Sequence, residues 1–445
     1  MATYRIITYG CQMNERDSET IAGILAGRGY RKAAEGEDPD IVVLNTCCVR
    51  EGAERKVLGK TQELKALKTT HPQAIIAVVG CLSQQPGVAA SIMKKMPHVD
   101  IVLGTHNIER IGEALENVAA LRHPVIEVLD QETVPPEGLP AVRAPGVRAW
   151  VTVMYGCDNF CSYCIVPYVR GRERSRLPGE IKAEVQRLVD EGFKEVVLLG
   201  QNVNAYGKRL GTGQDFADLL REVDSVRGLS RVRFMTSHPK DFTQKMICAV
   251  RDLPTVCEHI HLPVQSGSNS VLERMNRGYT REQYMDLASR IRQAMPDCSL
   301  TTDIIVGFPG EDERGFAETK DLVRQIGFDA AFTFLYSPRK GTRAASMPGE
   351  VPQETKKARI SQIIAIQNEI TQRKNRDLAG QVFEVLVEGP SERDPSVKAG
   401  RTRQNKMVHF RTSAPAGSLV SVRVTATGTW TLRGEVVGEG SPPTT

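Results

Sequence analysis

The chain has 445 residues, 40% of them hydrophobic and 25% charged, which excludes wholesale disorder and leaves enough apolar material for a large core. The formal net charge of +5 is too small to identify a polyanionic partner by itself. No run of apolar residues is long enough to span a membrane, and the first residues lack the apolar core of a signal peptide. We therefore expect a cytoplasmic protein of about three domains.

The first domain, expected over residues 1–120, alternates β-rich runs with helical patterns. Strands are predicted at Tyr4–Tyr9, Ile41–Asn45, Ala74–Val79 and Asp100–Leu103, and helices at Arg16–Arg28, Glu51–Lys68 and Gly87–Met96. This alternation predicts an α/β fold with a doubly wound parallel sheet. A linker rich in proline and glycine is expected to follow at residues 121–142.

The second domain, expected over residues 143–375, repeats the strand and helix alternation. Six strands are predicted, at Ala149–Met154, Glu195–Leu199, Val232–Met235, His259–Leu262, Leu300–Val306 and Ala331–Phe334. Helical patterns separate them, as at Pro178–Glu191 and Arg281–Met295, and a long one runs from Gln353 to Arg376. Six such units predict a (β/α)6 partial TIM barrel.

The last domain, expected over residues 376–440, has short strand-like runs separated by glycine turns and predicts a small β-barrel. The runs are Val382–Val387, Met407–Phe410, Leu419–Thr425 and Thr429–Val436, and a disordered tail is expected at Gly438–Thr445. Between Ser396 and Gly434 there is no Asp or Glu, but seven basic residues: Lys398, Arg401, Arg403, Lys406, Arg411, Arg423 and Arg433. This indicates nucleic-acid binding by phosphate neutralisation, although a small solubilising domain would look similar.

One group of cysteines follows the first strand of the second domain. Cys157, Cys161 and Cys164 have the spacing C-x3-C-x2-C. Three thiolates on one short loop can bind three irons of a 4Fe–4S cluster and leave the fourth iron open to a small molecule. The alternatives are coincidence and a zinc knuckle, but structural zinc usually needs four paired ligands and the later cysteines are isolated.

A second group is dispersed in the first domain. Cys11, Cys47 and Cys81 each follow a predicted strand, and parallel strands end at one edge of a sheet. They could therefore converge on a second cluster, with Gly10 and Gly80 permitting a close backbone approach. The alternative is three ordinary buried cysteines. Cys48 leaves the second ligand open, although Cys47 is preferred.

These motifs resemble a known family. The spacing C-x3-C-x2-C, with Tyr163 before the last cysteine, is similar to the signature of the radical S-adenosylmethionine (radical SAM) superfamily. Longer segments resemble the methylthiotransferases of that superfamily, in the family's order and over nearly the whole chain: Thr8–Glu15, Asn45–Glu51, Val79–Leu82, Gly156–Glu173, Leu198–Tyr206, His261–Ser268 and Thr302–Glu311. Gly400–Phe410 resembles a TRAM domain, a small RNA-binding barrel. Cys48 departs from the pattern, because relatives usually have a small residue without a thiol there.

The resemblance implies two 4Fe–4S clusters. Cys157, Cys161 and Cys164 would hold the cluster that binds S-adenosylmethionine, and Cys11, Cys47 and Cys81 an auxiliary cluster, so all six are expected to be catalytic. Two S-adenosylmethionine molecules would be used per turnover, one for the methyl group and one for the radical. Tyr163 belongs to the signature, and Gln201, Gln265 and Ser266 follow the second and fourth strands of the partial barrel, where contacts with S-adenosylmethionine are expected.

The resemblance also implies the reaction. Gln12–Asn14 and Val49–Glu51 are most like the family members that methylthiolate carbon 2 of N(6)-dimethylallyladenosine beside the tRNA anticodon. The expected partners are the tRNA anticodon stem-loop, an electron donor such as flavodoxin or ferredoxin, and a supplier of sulfur or clusters. Threonylcarbamoyl-adenosine and a ribosomal protein are the alternative substrates. An RNA-binding protein with structural iron–sulfur clusters, or with zinc, is the alternative that is not an enzyme.

Two further features leave alternatives open. Arg170–Arg176 contains four arginines, which are typical of either a solvated loop or a phosphate contact. His238, His259 and His261 are isolated, and we expect structural rather than catalytic roles for them.

Overall fold

The computed structural model describes residues 1–48, 51–129 and 136–439. The chain divides into two compact units. The N-terminal unit contains Met1–Ala144, Met154–Phe160 and Cys164–Arg174. The C-terminal unit contains Pro145–Val153, Cys161–Tyr163 and Ser175–Thr445. No helix in the described ranges is long and apolar enough to cross a membrane.

A six-stranded parallel sheet forms the centre of the N-terminal unit. Its strands are β1 (Thr3–Thr8), β2 (Arg31–Lys32), β3 (Ile41–Thr46), β4 (Ile75–Gly80), β5 (Ile101–Leu103) and β6 (Val125–Glu127). Their order across the sheet is β2-β1-β3-β4-β5-β6, with every neighbouring pair parallel. The chain therefore winds outward in opposite directions from β1 and β3, and the carboxyl ends of those two strands flank the topological switch point.

Helices cover both faces of this sheet, as the doubly wound prediction requires. They are α1 (Gln12–Gly27), α2 (Glu51–Glu63), α3 (Lys65–Thr70), α4 (Val88–Lys95) and α5 (Ile111–Leu121). Alternate residues of β3 point to opposite layers: Val43 packs with residues of α1 and α5, and Leu44 packs with Ile92 of α4. The predicted linker 121–142 contains β6, so the sheet extends past the expected domain end at residue 120. Residues 130–135 of that linker lie outside the described residues.

The central barrel contains the six predicted strand and helix repeats. Its strands are β7 (Arg148–Thr152), β10 (Glu195–Leu199), β11 (Arg231–Phe234), β12 (His259–His261), β13 (Ser299–Val306) and β14 (Ala330–Leu335). Between β7 and β10 in chain order, β8 (Met154–Tyr155) and β9 (Arg174–Ser175) form a separate two-stranded sheet. The six strands form two three-stranded parallel sheets, β11-β10-β7 and β12-β13-β14. Helix α6 (Val166–Arg170) belongs to the N-terminal unit. The helices of the central barrel are α7 (Pro178–Asp190), α8 (Phe216–Asp224), α9 (Gln244–Asp252), α10 (Asn269–Arg274), α11 (Arg281–Ala294), α12 (Glu313–Ile326) and α13 (Gln353–Arg376).

The terminal barrel is closed, with strand order β15-β16-β17-β19-β18. Its strands are β15 (Val382–Pro390), β16 (Lys398–Thr402), β17 (Met407–Arg411), β18 (Leu419–Thr427) and β19 (Thr431–Glu439). The sequence pattern missed β16, because it contains two cations and a glycine instead of alternating apolar residues. The tail expected at Gly438–Thr445 begins inside β19, and residues 440–445 lie outside the described residues.

Candidate functional site

Two glycines let the carboxyl ends of β1, β3 and β4 approach each other closely. Gly10 has φ +139°, and a Cβ atom there would lie 2.5 Å from the Cβ of Cys47. Gly80 has φ +100°, and its Cβ would lie 2.6 Å from the backbone oxygen of Thr46. Both glycines therefore permit a close approach, as predicted. The group that approaches each of them is the end of strand β3.

Four thiols meet at this edge, and we call Cys11, Cys47, Cys48 and Cys81 the thiol pocket. Cys11 and Cys47 form one hydrogen-bonded thiol pair, and Cys48 and Cys81 form another. The Arg170 Nε–H donates to the Cys81 Sγ at 3.2 Å. Cys47, Cys48 and Cys81 are buried, whereas Cys11 is half-buried. The three strand-end cysteines that the sequence singled out therefore lie together, with Cys48 among them.

Two buried asparagines hold the strand ends in this arrangement. The Asn14 Nδ2 donates to the Asn45 Oδ1 at 3.1 Å and to the backbone oxygen of Thr46 at 2.9 Å. The Asn45 Nδ2 donates to the backbone oxygen of Asn14 at 2.8 Å. The Cys11 thiol donates to the Asn14 Oδ1 at 3.4 Å. Neither asparagine was identified as a supporting residue, although both lie inside the segments that resemble the methylthiotransferases.

The thiols differ in how readily they ionise. The hydrogen bond from Cys47 and the nearby Arg170 guanidinium lower the pKa of Cys11 to about 6. The hydrogen bond from Cys48, together with Arg170, lowers the pKa of Cys81. Donation to Cys81 and burial raise the pKa of Cys48 well above the usual value for a thiol. The thiol pocket therefore favours thiolate, the form that binds metals, at two of the three strand-end cysteines.

The donor set of the thiol pocket fits an iron–sulfur cluster. Soft thiolates suit iron, and the buried Arg170 supplies a positive charge beside them. No group of three or more His, Cys, Asp or Glu side chains in the described ranges is placed to hold a single metal ion. A cubane holds its ligands farther apart than a single ion does, because iron and sulfide atoms lie between them.

The loop that contains Cys157 is fixed by its own contacts within the N-terminal unit. The backbone N–H of Cys157 donates to the oxygen of Gly171 at 3.1 Å, and Arg172 forms an ion pair with Asp158 at 2.7 Å. The Arg172 guanidinium also lies over the Phe160 ring, 5.1 Å from its centroid. Phe160 has φ +46°, a left-handed conformation that is uncommon for a bulky residue and that the surrounding contacts maintain.

In the C-terminal unit, Cys161 is in contact with a buried arginine. The Arg277 Nη1 lies 3.3 Å from the Cys161 Sγ and 3.3 Å from the Tyr163 hydroxyl, and Nη2 donates to the oxygen of Pro263 at 2.9 Å. The expected cofactor residue Tyr163 therefore touches the same guanidinium as the cysteine. Arg277 was missed at the sequence level, since it is more than a hundred residues from Cys161 along the chain.

Polar side-chain atoms lie unpaired at the carboxyl ends of three central-barrel strands. The Gln201 Oε1 after β10, the Ser237 Oγ after β11 and the Gln265 Oε1 after β12 are buried and lack a hydrogen-bond partner among the described residues. Gln265 also has φ +70°, which indicates strain at this position. Orphaned buried polar atoms at this end of a barrel fit a polar ligand such as S-adenosylmethionine.

Ser266 differs from the two glutamines. Its hydroxyl is fully buried, lies 3.3 Å from the Thr319 Oγ1 and accepts the backbone N–H of Ser268 at 3.2 Å. The structure thus places Ser266 in the turn that leads into α10. Its expected contact with S-adenosylmethionine stays a prediction.

Three of the four arginines in Arg170–Arg176 are buried or half-buried and make contacts with other groups of the protein. Arg170 contacts Cys81, Arg174 donates to the oxygen of Arg170 at 3.1 Å, and Arg176 pairs with Glu184 at 2.8 Å. Only Arg172 has a substantially exposed side chain. This arrangement favours a structural role for the loop over the phosphate contact considered from sequence. His238 and His259 are buried, which lowers the pKa of each and fits structural roles.

Three family profiles cover most of the chain. Residues 3–104 match Uncharacterized protein family UPF0004, residues 151–323 match the Radical SAM superfamily, and residues 376–437 match the TRAM domain. Two relatives, from Moorella thermoacetica and Natranaerobius thermophilus, are each named tRNA-2-methylthio-N(6)-dimethylallyladenosine synthase. The first is 53% identical over 98% of both chains, and the second is 50% identical over 97% of this chain and 96% of the relative.

The chain belongs to the tRNA-2-methylthio-N(6)-dimethylallyladenosine synthase family. It is a radical SAM methylthiotransferase, and its Radical SAM domain implies a 4Fe–4S cluster and S-adenosylmethionine as cofactors. The fold class predicted from sequence is confirmed.

Solved structures at low identity share the fold. The radical S-adenosylmethionine methyltransferase TsrM from Kitasatospora setae gives a TM-score of 0.58 at 14% identity, with 78% of this chain and 77% of that chain covered. The cobalamin-dependent S-adenosylmethionine radical enzyme OxsB gives 0.52 at 13% identity, with 82% of this chain and 56% of that chain covered.

Proposed function

We propose that this enzyme converts N(6)-dimethylallyladenosine beside the tRNA anticodon into its 2-methylthio derivative. The observation that carries the proposal is the convergence of Cys11, Cys47 and Cys81 at the switch point of the first sheet, in a chain that also has the C-x3-C-x2-C loop. Two relatives that are about 50% identical to this chain over nearly their whole length are named for this reaction.

The six cysteines divide into two ligand sets. Cys157, Cys161 and Cys164 would hold a 4Fe–4S cluster that binds S-adenosylmethionine, and Cys11, Cys47 and Cys81 an auxiliary 4Fe–4S cluster. When bound, these groups supply the electron that cleaves S-adenosylmethionine and the sulfur that is transferred to carbon 2. Two S-adenosylmethionine molecules are used per turnover, one of them as the methyl donor.

The chain's own residues bind and orient the reactants. The unpaired side-chain atoms of Gln201, Ser237 and Gln265 are available to the polar groups of S-adenosylmethionine. The buried guanidinium of Arg277 fixes the Cys161 and Tyr163 side chains. Burial of the thiols keeps water away from the sulfur that must react.

The terminal barrel would hold the tRNA while the target base leaves the anticodon-loop stack to reach a buried site. Arg411, Arg423 and Arg433 are exposed on its adjacent strands β17, β18 and β19. An electron donor such as flavodoxin or ferredoxin and a supplier of sulfur or clusters complete the proposed system. The domain limits 1–120, 121–142, 143–375 and 376–440, and a cytoplasmic location, belong to the same proposal.

The test is mass spectrometry of nucleosides from tRNA that carries N(6)-dimethylallyladenosine. The tRNA is incubated with the anaerobically reconstituted full chain, S-adenosylmethionine and a reductant. We expect the 2-methylthio nucleoside to appear together with 5′-deoxyadenosine. Cleavage of S-adenosylmethionine without a methylthiolated nucleoside would contradict the proposed substrate, and no cleavage at all would favour a structural iron–sulfur protein.

Two variants separate the two ligand sets. Cys161→Ala should abolish 5′-deoxyadenosine formation, whereas Cys81→Ala should retain some cleavage of S-adenosylmethionine and form no methylthiolated product. Cys298→Ala is the matched control, because Cys298 is equally buried and belongs to neither set. Methylthiolation by Cys81→Ala would refute the role of Cys81 in sulfur transfer.

A further inference from the structure

Arg170 has a placement that the proposed reaction does not by itself explain. It is the last residue of α6, and its side chain is only 7% exposed. Its Nε–H donates to the Cys81 Sγ at 3.2 Å, and its Nη2 donates to the Asp17 Oδ2 at 2.7 Å. A buried guanidinium with one carboxylate partner and one thiol partner is a costly arrangement, because both charges are removed from water.

Helix α6 fixes this guanidinium in position. Ile165, which precedes the helix, and Val169 within it pack against Cys48 and Cys81 in one buried cluster. The Thr105 hydroxyl donates to the backbone oxygen of Val169. The helix is therefore packed against the thiol pocket, and this packing fixes the backbone from which the Arg170 side chain extends.

The same helix follows closely after a cysteine of the other ligand set. Cys164 is the last cysteine of the C-x3-C-x2-C loop, and Ile165 is its immediate neighbour in the chain. Arg170 is the fifth and last residue of the helix, which begins at Val166. One short segment of the N-terminal unit thus contains both Cys164, a cysteine of one set, and Arg170, which donates a hydrogen bond to the Cys81 sulfur of the other set.

We propose that Arg170 is a positioning residue that orients the Cys81 thiolate and raises the reduction potential of the auxiliary cluster. This inference rests on the proposed function, in which Cys11, Cys47 and Cys81 hold that cluster. A hydrogen bond to a ligating sulfur withdraws electron density and favours the reduced state, in which the sulfur is more negative. Asp17 balances part of the positive charge and therefore limits the size of the effect.

The test measures the midpoint potential of the auxiliary cluster by itself. Cys157, Cys161 and Cys164 are changed to alanine in the full chain, so that only the thiol pocket can be loaded with iron and sulfide. In this background, Arg170→Lys keeps the charge but loses the Nε–H that reaches Cys81. We expect the ratio of reduced to oxidised cluster at a fixed potential to fall about tenfold, which is about 59 mV for one electron.

Asp17→Asn provides a variant with the opposite expectation. It leaves the hydrogen bond to Cys81 and removes the charge that opposes Arg170, so the potential should rise. A purely structural role for the two residues would not shift the potential in opposite directions. Arg172→Lys is the matched control, because Arg172 is two residues farther along the same loop and pairs with Asp158 instead. Its potential should equal that of the background chain.

Each outcome has a separate meaning. If the background chain binds no cluster, the proposed auxiliary site fails. If it binds a cluster whose potential is the same in Arg170→Lys, Asp17→Asn and the background, the auxiliary site stands and the role of Arg170 is refuted. Loss of the cluster in Arg170→Lys alone, with a raised potential in Asp17→Asn, would support the orienting role.

Discussion

Cys47 and Cys48 are adjacent in the chain but have different contacts. The Cys47 side chain lies against Gly10 and hydrogen bonds to Cys11. Cys48 is fully buried, packs on Ile165 and Val169, and hydrogen bonds to Cys81. Successive side chains at a strand end point to opposite sides. The two cysteines therefore have different surroundings, although they are adjacent in the chain.

We expect Cys48→Ser to retain the iron and sulfide content of the anaerobically reconstituted chain, because three thiolates remain. Cys47→Ser should lose the auxiliary cluster, which would lower the iron content by about half if each chain holds two clusters. Iron and sulfide analysis of both variants under one reconstitution protocol checks this. An equal loss in both variants would make Cys48 a ligand.

The sequence predicted which residues lie together where a general rule of sheet topology applied. Parallel strands end at one sheet edge, and this rule was enough to group Cys11, Cys47 and Cys81. The sulfur contacts of Arg170 and Arg277 were missed, because nothing in their local sequence shows which distant cysteine each one approaches. The two arginines are 89 and 116 residues away from Cys81 and Cys161.

The terminal barrel uses its cations in two ways. Arg403 forms an ion pair with Glu258 at 2.8 Å, Arg401 pairs with Glu388 at 3.1 Å, and Lys406 donates to Asn375 at 3.0 Å. Arg411 and Arg423 are exposed and flank Glu435, which lies between them in the strand register. The count of seven basic residues therefore overstates the charge that the barrel presents to a phosphate backbone, because the count does not show which way each side chain points.

We expect Arg423→Ala to weaken tRNA binding and to reduce the slope of log affinity against log salt concentration by about one, because one phosphate contact is lost. Binding to the unreacted tRNA is measured over a range of salt concentrations. Arg393→Ala is the matched control, since Arg393 is exposed in the same barrel but lies between Glu392 and Asp394. If both variants change the slope equally, tRNA binding depends on the net charge of the barrel and not on which face carries the arginine.

Within the C-terminal unit, a buried charge network joins the terminal barrel to the central barrel. Arg233 donates to the Glu195 Oε2 at 2.9 Å and to the backbone oxygens of Thr402 and Arg403, at 2.7 Å each. Arg231, which is fully buried, pairs with Glu384 at 2.9 Å. Both arginines lie on β11. Their partners in the terminal barrel lie on β15 and β16 and in the turn that follows β16. The two barrels should therefore unfold together.

Arg233→Ala should destabilise the C-terminal unit by about 3–5 kcal/mol, because it leaves the buried Glu195 with fewer cationic partners. The chain has two tryptophans, Trp150 in the central barrel and Trp430 in the terminal barrel, so the variants Trp430→Phe and Trp150→Phe each report one barrel by fluorescence during urea unfolding. The two signals should coincide when Arg233 is present, whereas the Trp430 signal should change first in Arg233→Ala.

Arg227→Ala is the control for this experiment, because Arg227 is exposed and its loss should change stability by no more than about 0.5 kcal/mol. Separate transitions when Arg233 is present would contradict the expected coupling of the two barrels. The order of the barrels along the chain was predicted from the strand and helix pattern of the first and the composition of the second. The network between them was not, because each partner lies more than 150 residues from the arginine it contacts.

The contact between Cys48 and Cys81 also has a consequence for handling the protein in air. Two touching sulfurs in a closed space can join as a disulfide when dioxygen takes up their two electrons and two protons. Once iron has been lost, a disulfide between Cys48 and Cys81 would prevent Cys81 from binding metal until a reducing agent cleaves it. We expect aerobically stored protein to need dithiothreitol before it can be refilled, because the Cys11–Cys47 pair and the Cys48–Cys81 pair can each close in this way.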